Sequence, residues 1–95
     1  GKTWKMICDE IVKTLPRNIY ISFDIDGLQQ KYCPNTGTPV AGGLEVDQVF
    51  YLFNQVKKAG KKIVGMDLNE VGKDVWDANV GARILYRMIG AWIAD

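Results

Sequence analysis

Two carboxylates one residue apart, Asp24 and Asp26 in Ser22-Phe23-Asp24-Ile25-Asp26-Gly27-Leu28, are the first residues of this 95-residue chain whose types and spacing point to chemistry. If an extended backbone continues through both, their side chains project to one side. Like charges held that close repel unless a proton or cation lies between them. A hard divalent ion such as Mn2+ or Mg2+, which takes oxygen ligands, suits that position. Aspartates after a strand also cap turns, so the spacing leaves a turn-capping role open beside metal binding. A second acidic set, Asp67 and Glu70, stands in Gly65-Met66-Asp67-Leu68-Asn69-Glu70-Val71. The chain has no histidine, which removes the commonest general base and transition-metal ligand from its own inventory. Any metal bound here must therefore be held by carboxylates. The two cysteines, Cys8 and Cys33, show no CxxC spacing and are read as plain thiols rather than a disulfide or zinc site.

These residues need elements to position them. Trp4, Ile7, Cys8, Ile11, Val12 and Leu15 repeat at helical spacing, with Thr3 as N-cap and Pro16 as stop. The apolar run from Asn18 to Phe23 predicts a strand buried on both faces of a parallel sheet and ending in Asp24. The glycine-rich stretch from Ile25 to Leu44 shows neither period, and connections of that length in a compact domain are functional or disordered. Val46, Val49, Phe50, Phe53 and Val56 restore a helical stripe that Gly60 closes. Ile63 to Met66 reads as a second strand, ending in Asp67. Val80, Ile84, Leu85, Met88, Ile89, Trp92 and Ile93 form a last helical stripe, with Asp74 as its N-cap. The order helix, strand, loop, helix, strand, helix predicts an α/β fold with a parallel sheet covered by helices. Ligands of such sheets bind beyond the carboxyl ends of the strands, where the acids fall. Two strands leave apolar edges bare, so further strands of a longer parent chain, or a second copy, are expected to complete the sheet.

Composition excludes several functions. Apolar residues at 47% and charged residues at 24% describe a globular chain with a packed core. A net charge of +1 supplies no field to recruit nucleic acid or an anionic membrane. The first residues carry no signal-peptide pattern and no apolar run is long enough to span a bilayer, so a cytoplasmic protein is expected. Trp4, Trp76 and Trp92 are read as core or helix-sheet contacts rather than platforms for bases. Lys57, Lys58, Lys61 and Lys62 are read as a solvated helix end. Arg83 and Arg87 lie one helical turn apart and suit surface or subunit contacts.

The string Phe23-Asp24-Ile25-Asp26-Gly27 resembles the nucleophile motif of haloacid-dehalogenase-type phosphatases, in which the first aspartate attacks phosphate and the second is an acid. The loop argues for another family. Ser22 to Leu28, then Pro34 and Thr36-Gly37-Thr38-Pro39-Val40-Ala41-Gly42-Gly43-Leu44, closely resembles the signature of the ureohydrolases: arginase, agmatinase and formimidoylglutamase. Gly65 to Val71 is similar to that family's Asp-x-x-Glu-Val segment on the next strand. The resemblance implies that residues 1–95 are a C-terminal segment of an arginase-like three-layer α/β/α parallel-sheet domain. It implies that Asp24 bridges two Mn2+ ions and that Asp26 ligates one of them. Between the ions the family holds a hydroxide, made available at neutral pH by the metals. Glu70 matches the carboxylate that meets the substrate's guanidinium or amidine, a planar cation that a bidentate carboxylate grips well. Thr38 matches a threonine of the active-site loop and counts on the substrate side. Asp67 is read as a supporting or structural residue.

The implied reaction is hydrolysis of a C–N bond in a small guanidino or amidino substrate, releasing urea or formamide, by a homo-oligomeric enzyme. The histidines and remaining aspartates of the two-metal site would come from the rest of the parent chain, so the segment alone is expected to be inactive. Three departures from the family pattern stand out: Gln29-Gln30 where Asp-Pro is usual, Pro34-Asn35 where Pro-Gly or Pro-Ala is usual, and Gly72-Lys73 where Asn-Pro is usual. The alternatives are a non-catalytic assembly segment, which predicts tolerance of Asp24→Asn, and the phosphatase, which leaves the Thr-Gly-Thr-Pro loop unexplained.

Overall fold

Thr3 opens the first helix, α1 (Trp4–Thr14), by accepting a hydrogen bond from the Met6 amide at 3.2 Å, the N-cap its position predicts. The computed structural model describes residues 1–93. After Pro16 the chain enters β1 (Asn18–Asp24), then two 3-10 turns, Ile25–Gly27 and Gln30–Tyr32, before α2 (Val46–Lys58). Glu45 and Gln48 form a reciprocal capping box at the start of α2. Gly60 closes that helix with a φ of 76°. β2 (Lys62–Asn69) follows, and then α3 (Val75–Ile93), whose Trp76 amide donates to Asp74 Oδ2 at 3.3 Å.

β1 and β2 pair in parallel from Asn18 opposite Lys62 to Asp24 opposite Asn69, with one irregularity after Ile19. Two expectations are corrected here. β2 does not stop at Asp67: Met66 and Leu68 both pack toward the helices, so the alternation carries the strand to Asn69. Nor are the strands buried on both faces. Ile19, Ile21 and Phe23 of β1 join Ile63, Met66 and Leu68 of β2 against the helices, whereas Tyr20, Ser22 and Val64 are exposed on the other face. The described residues thus supply two layers of the three-layer α/β/α fold, a sheet and one covering of helices.

The main core joins Ile25, Leu28, Cys33, Val49, Phe53, Val80, Ile84 and Met88. Ile84 and Met88 are fully enclosed, so Ile84→Ala is expected to destabilise by about 2–5 kcal/mol. A second cluster of Ile19, Val56 and Ile63 receives Val12 of α1 and Leu15, the residue that caps its end. Trp4 Nε1 donates to the Gln48 carbonyl at 2.9 Å, tying α1 to α2. The other two tryptophans depart from the expected core role. Ala91, not Trp92, continues the inward face of α3, and Trp92 stays exposed. Trp76 is also exposed, its indole donating to the Lys31 carbonyl at 3.0 Å. Lys61 reaches the end of α1, donating to the Leu15 carbonyl at 2.8 Å. The Arg87 guanidinium lies 4.3 Å from the centre of the Phe50 ring. No helix among the described residues is long and apolar enough to cross a membrane.

Candidate functional site

The parallel register brings both acidic segments to one end of the sheet. Asp24 closes β1 opposite Asn69, and Glu70 follows at once; neighbouring strands lie about 4.8 Å apart. Asp24 is exposed and makes no capping bond to the turn that follows, so the turn-capping alternative is not what its side chain does. Asp26 lies inside the Ile25–Gly27 turn, which corrects the premise that extended backbone carries through both acids. Its carboxylate is instead fixed by a second element: Thr38 Oγ1 donates to Asp26 Oδ2 at 2.5 Å.

The connection carrying Thr38 is more ordered than its composition suggests. Leu28 and Leu44 form a parallel bridge, with Gln29 donating to the Leu44 carbonyl and Leu44 to the Gly27 carbonyl, both at 2.9 Å. The Gln29-Gln30 departure therefore falls where one residue makes the bridge and the next begins the second 3-10 turn. Beneath, the Cys33 thiol donates to the Ile25 carbonyl at 3.3 Å. Burial, followed by the charges of Asp77 and Asp26, holds that thiol above its ordinary titration range, as suits a plain thiol. Tyr32 and Lys31 donate to Glu45 at the head of α2 and keep its carboxyl below the ordinary range.

Glu70 adopts a φ of 68°, the left-handed region, and is the one non-glycine among the described residues to do so. That geometry costs roughly 1–2 kcal/mol for an L-residue and persists where surroundings impose it. The buried Thr36 hydroxyl donates to the Glu70 carbonyl at 2.7 Å, a contact of comparable size, about 1 kcal/mol. Fully buried Asp77, on the first turn of α3, accepts from the Asn35 amide at 3.0 Å and from Asn35 Nδ2 at 3.1 Å. Gly72 passes so close that a Cβ there would stand 2.4 Å from the Asn35 carbonyl oxygen. Two departures from the ureohydrolase pattern, Asn35 and Gly72, thus meet each other in space.

Asp67 is fixed by three donors beside the strand ends. Ser22 Oγ donates to it at 2.8 Å and Tyr20 Oη at 2.9 Å, with Asn69 Nδ2 as a third donor. The Ser22 bond first, then the Tyr20 bond, hold the Asp67 carboxyl below its ordinary value. Asp24 and Asp26 are hard oxygen donors, and Asp26 has its second oxygen outside the Thr38 bond, so they fit part of the shell of a hard divalent cation. Such an ion takes about six ligands. Among the described residues no three acidic or cysteine side chains converge on a point that would hold one.

A sequence model described as "Arginase family" matches residues 2–90 of the 95. The chain belongs to the arginase family. It is 38% identical over 84 residues to an N(1)-aminopropylagmatine ureohydrolase of Thermus thermophilus, an alignment covering 86% of this chain and 28% of that protein. It is 47% identical over 62 residues to an agmatinase of Proteus mirabilis, covering 65% of this chain and 19% of the relative. Among solved structures, a hypothetical agmatinase from Burkholderia thailandensis superposes with a TM-score of 0.79 at 29% identity, over 94% of this chain and 29% of that one. An arginase from Bacillus subtilis shares the fold with a TM-score of 0.77 at 21% identity, over 97% of this chain and 34% of that one. The arginase-family segment spans less than a third of the length of the curated relatives cited. With the family shown, the phosphatase reading is set aside.

The sites expected from the arginase-family resemblance fall at one edge. Thr38 reaches Asp26, and Thr36, two residues earlier, reaches Glu70. Thr36, Asn35 and Asp77 were not legible as site residues. Asp77 alone had a signal: it precedes Gly81, Ile84 and Met88 at helical spacing, an acid on the inward face of α3.

Proposed function

We propose that this segment forms part of a two-manganese hydrolase that cleaves a C–N bond of a small guanidino or amidino substrate. The observation that carries the reading is one short loop, Thr36-Gly37-Thr38, bonded at one end to the Glu70 backbone and at the other to the Asp26 carboxylate. Glu70, to which we assign the substrate, and Asp26, to which we assign metal, are thereby tied to one loop at the same end of a parallel strand pair.

Asp24 and Asp26 would hold metal together with ligands from the rest of the enzyme. When bound, the manganese pair activates water at neutral pH. Glu70 would accept two hydrogen bonds from the amidine and orient its carbon. Thr38 would keep one Asp26 oxygen engaged so that the other faces the ion. The exposed Leu85, Ile89 and Trp92 on α3 support the expectation of further protein surface against this segment, from the parent chain or from another copy in a cytoplasmic homo-oligomer.

The test is Mn2+-dependent urea release from arginine and agmatine, and formamide release from formimidoylglutamate, by the complete enzyme carrying this segment. Activity on one of the three, abolished by Asp24→Ala or Asp26→Ala, is the expected result. Unchanged activity in both variants would remove the metal assignment. The 95-residue chain alone is expected to release no urea.

A further inference from the structure

We propose that Thr36, Asn35 and Asp77 act as positioning residues that lock the backbone of Glu70, and that the lock sets substrate affinity; the inference rests on the substrate role of Glu70 proposed above. A left-handed glutamate directly after a strand is a strained choice. Relaxed, extended backbone would carry Glu70 straight on past the end of β1. Two contacts prevent this. The Thr36 hydroxyl takes the Glu70 carbonyl at 2.7 Å, and two residues later Gly72 lies against the Asn35 carbonyl with no room for a side chain.

The other end of the lock is rigid. Asn35 is held by both its main-chain and its side-chain nitrogen, and both bonds go to the same carboxylate, Asp77. Asp77 is fully buried on a helix whose Ile84 and Met88 are also enclosed, so the exposed Asn35 is anchored to a carboxylate that solvent does not reach, and Thr36 beside it is buried as well. Both departures from the ureohydrolase pattern bear on this contact. The Asn35 side chain adds a second bond to Asp77, and any side chain at position 72 would push against the residue 35 carbonyl and the Asp77 carboxylate. The lock is therefore this chain's own way of holding the family's glutamate.

The test uses NMR on the chain and kinetics on the complete enzyme. Glu70 should give the strong intraresidue amide to Hα cross-peak of a left-handed residue. Thr36→Val should lose it while the methyl signals of Ile84 and Met88 keep their positions, and Thr36→Ser, which retains the hydroxyl, should keep it. In the enzyme, Thr36→Val should raise KM for the amidine substrate about tenfold with Mn2+ content unchanged, and Thr36→Ser should restore KM to within about twofold. A cross-peak and KM unmoved in Thr36→Val would overturn the proposal. Glu70→Gln separates the two readings. If it leaves KM unmoved, the substrate role of Glu70 falls; if it raises KM while Thr36→Val does not, the lock alone falls. Should Thr36→Val not fold, Thr36→Ser decides: a lost cross-peak with the hydroxyl in place counts against the lock, and a retained one supports it.

Discussion

The two ends of the β1–β2 pair are built differently. At the end where the strands begin, the fastenings are ordinary: Lys61 covers the last carbonyl after α1, Lys62 donates to the Arg17 carbonyl at 2.7 Å, and Gly60 turns the chain in open space. At the end where they finish, a glutamate sits in left-handed backbone, a fully buried aspartate holds a loop, and two threonine hydroxyls reach across to neighbouring segments. Stability needs only the first kind of construction. Strain and buried polar ties at one edge mark where side chains must be placed rather than merely accommodated.

The contrast can be broken most sharply by function. Asp26→Ala at the finishing end should lower activity of the complete enzyme at least about 100-fold, whereas Lys61→Ala at the starting end should change kcat/KM less than about twofold. Comparable losses in both would erase the distinction. A glycine pair sharpens it in stability: Gly72→Ala should cost about 3 kcal/mol in urea denaturation, because the clash is with backbone. Gly60→Ala meets nothing and carries only the left-handed penalty of about 1 kcal/mol. Equal costs would mean that the Asn35 loop yields freely.

Acid provides a smaller effect. The Asp67 carboxyl is held below its ordinary range by Ser22 and Tyr20, so the folded state binds its proton less readily than the unfolded state. Its contribution is fully present above the ordinary aspartate range and is lost as pH falls through the lowered folded value. Melting temperatures of the native chain and Asp67→Asn should therefore differ at neutral pH and converge in strong acid. A constant gap would show that the three donors do not distinguish the charged form. Smallest of all, Lys61→Ala should destabilise by about 1 kcal/mol or less, removing one partly exposed bond to a helix end.

Periodicity made most of the frame legible. Helical spacing marked all three helices, and Thr3 and Asp74 were readable as caps because a short polar side chain precedes an apolar stripe. The strand ends were less accessible: Asp67 looks like a terminus only until the pairing with β1 carries β2 two residues further. Asp24, Asp26, Thr38 and Glu70 stand in local motifs that the sequence displays. The ties that hold them were not, since Thr36 meets Glu70 across 34 positions and Asn35 meets Asp77 across 42. Contacts at such separations leave no local pattern.

The Leu28–Leu44 bridge makes the residues between its partners a closed ring with fixed feet. Lengthening a ring is entropically mild, about 0.6 kcal/mol for each doubling, so tolerance to inserted residues depends on what the ring touches. Residues 29–38 carry every tie to Asp26, Glu70 and Asp77, and one extra residue among them would shift a threonine off its mark. Residues 39–42 are exposed, which makes that short arc the natural place for length to vary or for a reporter to be grafted without disturbing any of the three acids.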